Sequence, residues 1–521
     1  MGEGVSEDRP ELSSAMQDKR LSISYSVVIR NAAINLVGRV LPMLAALLAI
    51  PIIIRGLGLE EYGILSLVLV VVTYFSLFDF GLGGATTKFV AAALGKGEHA
   101  RLPSLIWTSI VLISLLGVLA GLLMAAGTPL LVDHFLNISP KLRGQARTAF
   151  YVMSGALPFM LTASGFQGTL EAKQRYDLVN AVNIPSGTIN YVLSACAAYF
   201  HSGLVPIVCL LALVRVCTCI AFFLLSLREH PALKHSFVVS LEGSRPLLVF
   251  GGWLALSNLS WPILIYMDRL AIGALLSTAI LSFYAAPSDL ATRLWVLPAS
   301  WESLYPAYSA VGEDRHEELA SLCARGFKHL ALIMGPIVIF VVFFANQILR
   351  LWLGRQFELA STSVLQILAI GVYINSLASV PDRLIKGIGR ADIIAKLHLA
   401  ELPIYGVMLW SCVVKWGLLG AAAAWTLRAT IEAVIVFAVS WSLVPANRSA
   451  FLRARLARLA VLLAALATSM WLAALLFTGI GRLITATLLF GASGVLMWNY
   501  VLDQTERRSL RSVLNLAAGG T

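Results

Sequence analysis

The chain has 521 residues, of which 58% are hydrophobic and 13% charged, and its formal net charge is +11. Soluble domains carry about 25% charged residues, whereas the apolar residues here come in blocks of about 20, long enough for a bilayer core of roughly 30 Å. With about 14 such blocks no room remains for a soluble domain, which excludes a soluble enzyme, a receptor with a large ectodomain and a disordered regulator.

The basic excess does not point to nucleic acid. Lys and Arg of a polytopic membrane protein gather in cytoplasmic loops, and no basic domain or nucleic-acid motif accompanies them. Residues 1–30 are polar and include Asp8, Arg9, Glu11, Lys19, Arg20 and Arg30. The first apolar segment comes after them, so it is expected to be kept as a span and not cleaved as a signal peptide.

Spans are expected near 33–54, 64–86, 104–126, 149–168, 179–199, 204–227, 247–272, 280–308, 329–350, 361–381, 396–414, 417–440, 456–478 and 483–502. Their length calls for helices, because membrane strands would be about 10 residues long. The expected fold is an all-α polytopic membrane protein with two parallel six-helix bundles around a central cavity and a C-terminal helical hairpin. In chain order it reads as a cytoplasmic tail (1–32), a first bundle (33–227), a cytoplasmic linker (228–246), a second bundle (247–440), a basic loop with the last two helices (441–502) and a tail (503–521). Placing both termini in the cytoplasm puts most Lys and Arg on that side. Residues Lys141, Arg143 and Arg147 are the exception.

The chain repeats itself. Gly95-Lys96-Gly97-Glu98-His99-Ala100-Arg101-Leu102 follows the second span, and Gly312-Glu313-Asp314-Arg315-His316-Glu317-Glu318-Leu319 follows the eighth. Arg175-Tyr176-Asp177 and Arg390-Ala391-Asp392 follow the fourth and tenth. Two parallel halves around a midplane site suit an alternating-access transporter.

Charged residues within spans are costly and usually face a cavity or a partner. Asn31, Asn35 and Arg39 share one face of the first helix, ahead of Pro42. Ser257, Asn258, Ser260, Trp261 and Pro262 form a similar patch in the seventh span. Asp79 precedes Gly81-Leu82-Gly83-Gly84, Glu302 lies in the eighth span, and Arg215 is embedded in the sixth. Asp289 and Arg293, like Arg428 and Glu432, stand four residues apart, an ion-pair spacing. Each pair fits a cavity lining and a neutralised structural pair equally well. Asp268 and Arg269 are expected at the outer end of the seventh span, where charged side chains snorkel. An arginine fork matches phosphate oxygens and stays ionised, and buried acids would bind a coupling cation or tune the arginines. Arg383, Lys386 and Arg390, on the expected cytoplasmic face, would attract anionic headgroups. No nucleotide-binding loop, metal-ligand spacing or nucleophile arrangement emerges. The six cysteines form no disulfide framework or CxxC site and read as packing residues.

Several short motifs resemble a known family. They are Val28-Ile29-Arg30-Asn31, Pro51-Ile52-Ile53-Ile54-Arg55-Gly56-Leu57-Gly58, Glu61-Tyr62-Gly63, Phe78-Asp79-Phe80-Gly81-Leu82-Gly83, and Thr86-Thr87-Lys88. Gln167-Gly168-Thr169-Leu170-Glu171, Arg175-Tyr176-Asp177 and Gly387-Ile388-Gly389-Arg390 continue the pattern. Together they resemble the bacterial polysaccharide repeat-unit flippases of the multidrug/oligosaccharidyl-lipid/polysaccharide (MOP) flippase superfamily. That resemblance implies a V-shaped pair of bundles in the inner membrane, acting in O-antigen, capsule or exopolysaccharide synthesis. It implies transfer of an undecaprenyl-pyrophosphate-linked oligosaccharide to the periplasmic leaflet, alongside a polymerase and glycosyltransferases. It also implies no cofactor, and a coupling proton or sodium ion. Arg30, Asn31, Arg55, Asp79 and Lys88 match the opening pattern. Adding the residues singled out by buried charge alone, the expected headgroup set is Arg30, Asn31, Asn35, Arg39, Lys88, Arg293 and Arg428, with Asp79, Asp289, Glu302 and Glu432 as the coupling or tuning acids. A drug/cation antiporter, a lipid II flippase and a membrane glycan polymerase or ligase remain as alternatives.

Overall fold

Hydrocarbon offers no partner to a backbone N–H or C=O, so an apolar run that crosses it must satisfy these groups within itself, as a helix does. A computed structural model of the chain follows that rule. It describes residues 25–79, 81–234, 236–240, 260, 262–299, 308–309, 311, 315–453, 456–477, 479–504 and 506–507, with the side chains of the first helix described from Val40 onward. The first half comprises α1 (Tyr25–Leu57), α2 (Leu59–Ser76), α3 (Leu82–Gly95), α4 (Leu102–Leu130), α5 (Arg143–Ala172), α6 (Tyr176–Tyr199) and α7 (Leu204–Glu229). The second comprises α8 (262–275), α9 (Thr278–Thr292), α10 (His316–Leu353), α11 (Arg355–Gly387) and α12 (Ala391–Leu443). A short α13 (Ala446–Arg453) leads to α14 (Leu456–Leu476) and α15 (Gly479–Tyr500).

Nine runs among the described residues are long and apolar enough to cross a membrane. One of them, α12, would be ~80 Å long if straight, more than twice a bilayer core. Gly417, at φ 57°, breaks it into two passes. These match the expected spans 396–414 and 417–440. The expected span 64–86 is not one helix. It stops in a 3-10 turn at Leu77–Asp79, passes Gly81 at φ 67° and resumes as α3. The Asp79 carboxylate accepts the Gly81 N–H at 2.8 Å, an aspartate turn that competes with the helix.

The internal repeat is present as geometry. After α5, Gln174 has φ 59°, and after α11, Gly389 has φ 84°. The next residue donates its N–H five residues back in both cases, Arg175 to Leu170 and Arg390 to Ile385, each at 3.0 Å. Arg175 Nε then reaches Asp177 at 2.9 Å and Arg390 Nε reaches Asp392 at 3.4 Å. In the other repeated loop, residues 312–314 lie outside the described residues.

Helices α3, α4, α6 and α7 pack against α5 or against one another, and α1 packs on α6. Helix α11 packs between α10 and α12 and also touches α9. The two groups meet where α2 packs on α9. The ties cluster at the end formed by the α1–α2 turn. Ser282 donates to the Leu59 carbonyl, Asn137 N–H reaches the Gly273 carbonyl at 2.9 Å, and Trp352 Nε1 reaches the Leu47 carbonyl at 2.6 Å. Helices α14 and α15 form a hairpin on α10. A buried ion pair fastens it, Lys328 Nζ to Glu506 at 2.6 Å, and Glu506 also caps the Asp503 N–H at 2.8 Å.

The α2–α9 seam depends on Gly63. A Cβ there would lie 1.9 Å from the Thr278 carbonyl oxygen. Gly63→Ala should therefore lower stability by about 1–3 kcal/mol through overpacking. Gly127→Ala, with nothing within 4 Å of the new methyl, should leave it nearly unchanged. Thermal unfolding of the two purified variants in detergent checks this contrast.

Candidate functional site

Between the two helix groups lies a chamber of about 440 Å³. Helix α1 contributes Pro42, Ile50 and Ile53, and α2 contributes Tyr62, Ser66 and Thr73. Helix α6 adds Asn190, Tyr191 and Ser194, and α7 adds Arg215. The second half supplies Tyr266, Arg269, Asp289 and Arg293. Three arginines thus face one aspartate. An apolar pocket of about 280 Å³ adjoins this chamber and shares Ile50, Asp289 and Arg293 with it. It is otherwise lined by α1, α10 and the end of α9, through residues such as Leu47, Leu294, Val341 and Trp352.

The arginines are held differently. Arg269 Nη2 meets Asp289 Oδ1 at 2.5 Å, Nη1 reaches the Ser66 hydroxyl at 3.3 Å, and the guanidinium lies 5.4 Å from the Tyr266 ring. Arg293 Nη2 reaches the Tyr191 hydroxyl at 2.8 Å across the two groups. Asp268, next to Arg269, takes the Tyr284 hydroxyl and the Arg269 N–H.

These partners bear on two readings. Of the two held open for Asp289 and Arg293, the neutralised pair is not formed: both line the chamber, where Asp289 pairs with Arg269 and Arg293 goes to Tyr191. The helical backbone reaches Arg293, whose N–H still bonds the Asp289 carbonyl, so the two side chains part because Arg269 and Tyr191 each offer a partner from another element. Asp268 and Arg269 are not interfacial. They are 2% and 7% exposed, because Tyr284, Asp289 and Ser66 provide partners inside.

Arg428 and Glu432 do pair, at 2.9 Å, within the second half and not among the chamber lining. Glu401 joins them at 3.0 Å and His398 reaches Glu432 at 3.3 Å. Asp79 stabilises its own turn. Lys88 Nζ lies 5.8 Å from the centre of the Phe89 ring. Arg383 reaches the Ser379 hydroxyl at 3.1 Å, Lys386 pairs with Asp382 at 2.8 Å, and Arg390 with Asp392. Glu302 and the side chains of Arg30, Asn31, Asn35 and Arg39 lie outside the described residues, as do Ser257, Asn258 and Trp261.

Sequence reasoning did not assign Tyr191, Tyr266, His398 or Glu401 to any site. Arg215 carried its own signal, a cation embedded in the apolar run of the sixth span. His398 and Glu401 stand three residues apart, which places them on one helix face.

Outside the spans, Arg175 binds Asp177 and, at 2.6 Å, Glu229. The Arg175 guanidinium holds the Asp177 carboxyl below its ordinary range. Within the chamber, Asp289→Asn leaves a buried guanidinium without its anion, so it should destabilise by about 3 kcal/mol. The double variant with Arg269→Gln removes both charges and should recover part of that loss. A double-mutant cycle on thermal unfolding measures the difference.

Residues 28–311 match the family described as polysaccharide biosynthesis protein. The chain is 27% identical over 414 residues to a Shigella flexneri protein named "Putative O-antigen transporter", covering 78% of this chain and 96% of that one. It is 23% identical over 369 residues to "Uncharacterized membrane protein EpsK" of Bacillus subtilis (strain 168), covering 67% and 70%. Among solved structures it is similar to the lipid II flippase MurJ in an inward closed conformation, with TM-score 0.68, 12% identity and coverage of 90% of this chain and 99% of that one. It is also similar to an inward-facing multidrug resistance MATE family transporter of the MOP superfamily, with TM-score 0.66, 18% identity and coverage of 80% and 99%. At these identities the solved structures establish the fold. The chain belongs to the polysaccharide biosynthesis protein family and has the membrane-transporter fold of the MOP superfamily.

Proposed function

We propose that the protein moves a polyprenyl-pyrophosphate-linked oligosaccharide from the cytoplasmic to the periplasmic leaflet for surface polysaccharide synthesis. The observation that carries this reading is the chamber's charge. Arg215, Arg269 and Arg293 face Asp289, an excess of cation that suits a pyrophosphate. The adjoining apolar pocket suits the start of the polyprenyl chain, whose remainder stays in lipid. The Shigella flexneri relative, named for O-antigen transport, supports the same substrate class.

In this reading both termini are cytoplasmic and the protein sits in the bacterial inner membrane. The α1–α2 turn is then periplasmic. The ties at that end hold the halves together there, which makes this arrangement the inward-facing one. Transport would follow from rocking of bundles 33–227 and 247–440 about the chamber. Arg383, Lys386 and Arg390 would lie on the cytoplasmic face, where the anionic headgroup arrives. A polymerase would take up the delivered units and glycosyltransferases would supply them.

Deletion of the gene should confine complete lipid-linked units to the cytoplasmic leaflet and abolish surface glycan. Complete units still reaching the outer leaflet would sink the proposal. Each charge-assisted contact is worth about 1.5–3 kcal/mol. Arg215→Gln or Arg293→Gln should therefore weaken headgroup binding roughly 10- to 100-fold and cut complementation of the deletion accordingly. Full transport by both variants would remove the arginines from the site.

A further inference from the structure

The first bundle holds another pocket, of about 260 Å³, that shares no residue with the chamber. Its apolar side is built from Leu102 and Ile106 at the start of α4 and from Leu233 in the turn after α7. Its polar side is Lys173, just past α5, with Glu229 and His230 at the end of α7. His99 stands on the exposed rim.

His230 is 6% exposed, and its Nε2 is buried with no hydrogen-bond partner among the described residues. The ring has the Thr169 backbone as its partner, which leaves Nε2 as the open position. Burial and the neighbouring Lys173 ammonium hold His230 below its ordinary pKa. A neutral ring that gives its one N–H to a carbonyl keeps an acceptor on the other nitrogen. A buried polar atom without a partner is costly, so this acceptor calls for a donor from a ligand.

Charge selects the ligand. Glu229 meets Arg175 at 2.6 Å and Lys173 Nζ at 3.6 Å, and Arg175 meets Asp177 at 2.9 Å. Two cations against two carboxylates leave no excess to hold a bare anion. Lys173 Nζ also donates to the Glu229 carbonyl, leaving one of its three N–H groups to give to a phosphate oxygen. Beside it, His230 Nε2 and the Glu229 carboxylate are acceptors for an ammonium. The surroundings select its source. The linker after the pocket lies on α4: Trp107 Nε1 reaches the Leu233 carbonyl at 3.3 Å, the Phe237 and Trp107 rings are 4.9 Å apart, and the Ser240 N–H reaches the Thr108 hydroxyl at 2.9 Å. Trp107 and Thr108 belong to an apolar span, and Phe237, Val238 and Val239 beside them are exposed. A tryptophan at a span end and an exposed apolar strip mark the bilayer surface.

We infer that this pocket binds the headgroup of a zwitterionic phospholipid with a primary amine, its phosphate on Lys173 and its ammonium on His230 Nε2 and Glu229. The acyl chains would pass over Leu102, Ile106 and the exposed strip of the linker. The site is separate from the proposed transport and does not rest on it.

Native mass spectrometry and thermal unfolding of the delipidated protein test the site, with phosphatidylethanolamine, phosphatidylcholine and phosphatidylglycerol added in turn. Phosphatidylcholine has the same charges but no ammonium N–H, and phosphatidylglycerol is an anion. One phosphatidylethanolamine should bind and raise the unfolding temperature. The other two should bind roughly 10- to 100-fold more weakly, the factor for one lost charge-assisted hydrogen bond. His230→Leu and Lys173→Gln should each weaken phosphatidylethanolamine binding by the same factor, whereas His316→Gln, exposed on α10, should not. Glu229 keeps Arg175 in Lys173→Gln, so that variant should fold even where His230→Leu does not. Equal wild-type affinity for the ethanolamine and choline lipids, tighter binding of phosphatidylglycerol, or unchanged affinity in either folded variant would overturn the site. Glycerophosphoethanolamine, which lacks the acyl chains, should bind at least about tenfold more weakly than the lipid. Equal affinity would assign the pocket to a soluble zwitterion and overturn the lipid as its occupant.

Discussion

A charged side chain persists inside a membrane-spanning bundle only where a partner or an aqueous cavity replaces the water it has lost. The interior of this protein is organised around that constraint. Arg269 is held by Asp289, Ser66 and the Tyr266 ring, and Asp268, one residue away, is held by Tyr284. Adjacent residues on one helix thus carry opposite charges to different partners, one facing the chamber and the other the interior of the second bundle. Arg428 repeats the solution with two glutamates. These cations and acids determine which helix faces must meet, because a misaligned face would leave a charge unpaired in hydrocarbon.

Close backbone approach does the rest of the work. Helices in lipid gain little from burying apolar surface against one another, so small residues and interhelical hydrogen bonds hold them. Gly56 approaches Ala198 and Gly63 approaches Thr278 near the same end of the molecule. Ser282, Asn137 and Trp352 add side-chain and backbone bonds to carbonyls of the opposite half or the neighbouring helix. The seam is therefore tight at the end of the α1–α2 turn, while farther along the helices the polar face of α6 and Arg215 of α7 line the chamber.

Much of this was legible in the chain, and the exceptions have local causes. The apolar blocks located the helical segments but not their ends, because hydropathy follows bilayer thickness while helices run on past it, as α10 does in starting at His316 where a span from 329 was expected. The repeat at Arg175 and Arg390 was visible because the same turn needs the same chemistry, a left-handed residue followed by an arginine and, two residues later, an aspartate. The Arg428–Glu432 pair was legible because a continuous helix carries its i, i+4 register. Asp289 and Arg293 have the same spacing, yet each takes a partner from another element, Arg269 and Tyr191, which spacing along one helix cannot show. Asp268 and Arg269 failed because snorkelling and burial have the same sequence signature, and only packing reveals whether a partner waits inside.

The sequence by itself determined the class of the fold, an all-helical membrane-spanning chain with a repeated turn and arginines among its apolar segments. Period and length are local properties, so hydropathy and spacing carry them. Tertiary structure decided which arginines share a chamber, that Tyr191 reaches Arg293 across the halves, and that Glu401 and His398 complete the cluster around Arg428. Those assignments join residues up to 102 positions apart in the chain. No spacing rule reaches that far, because the relative rotation of two helices depends on every side chain packed between them.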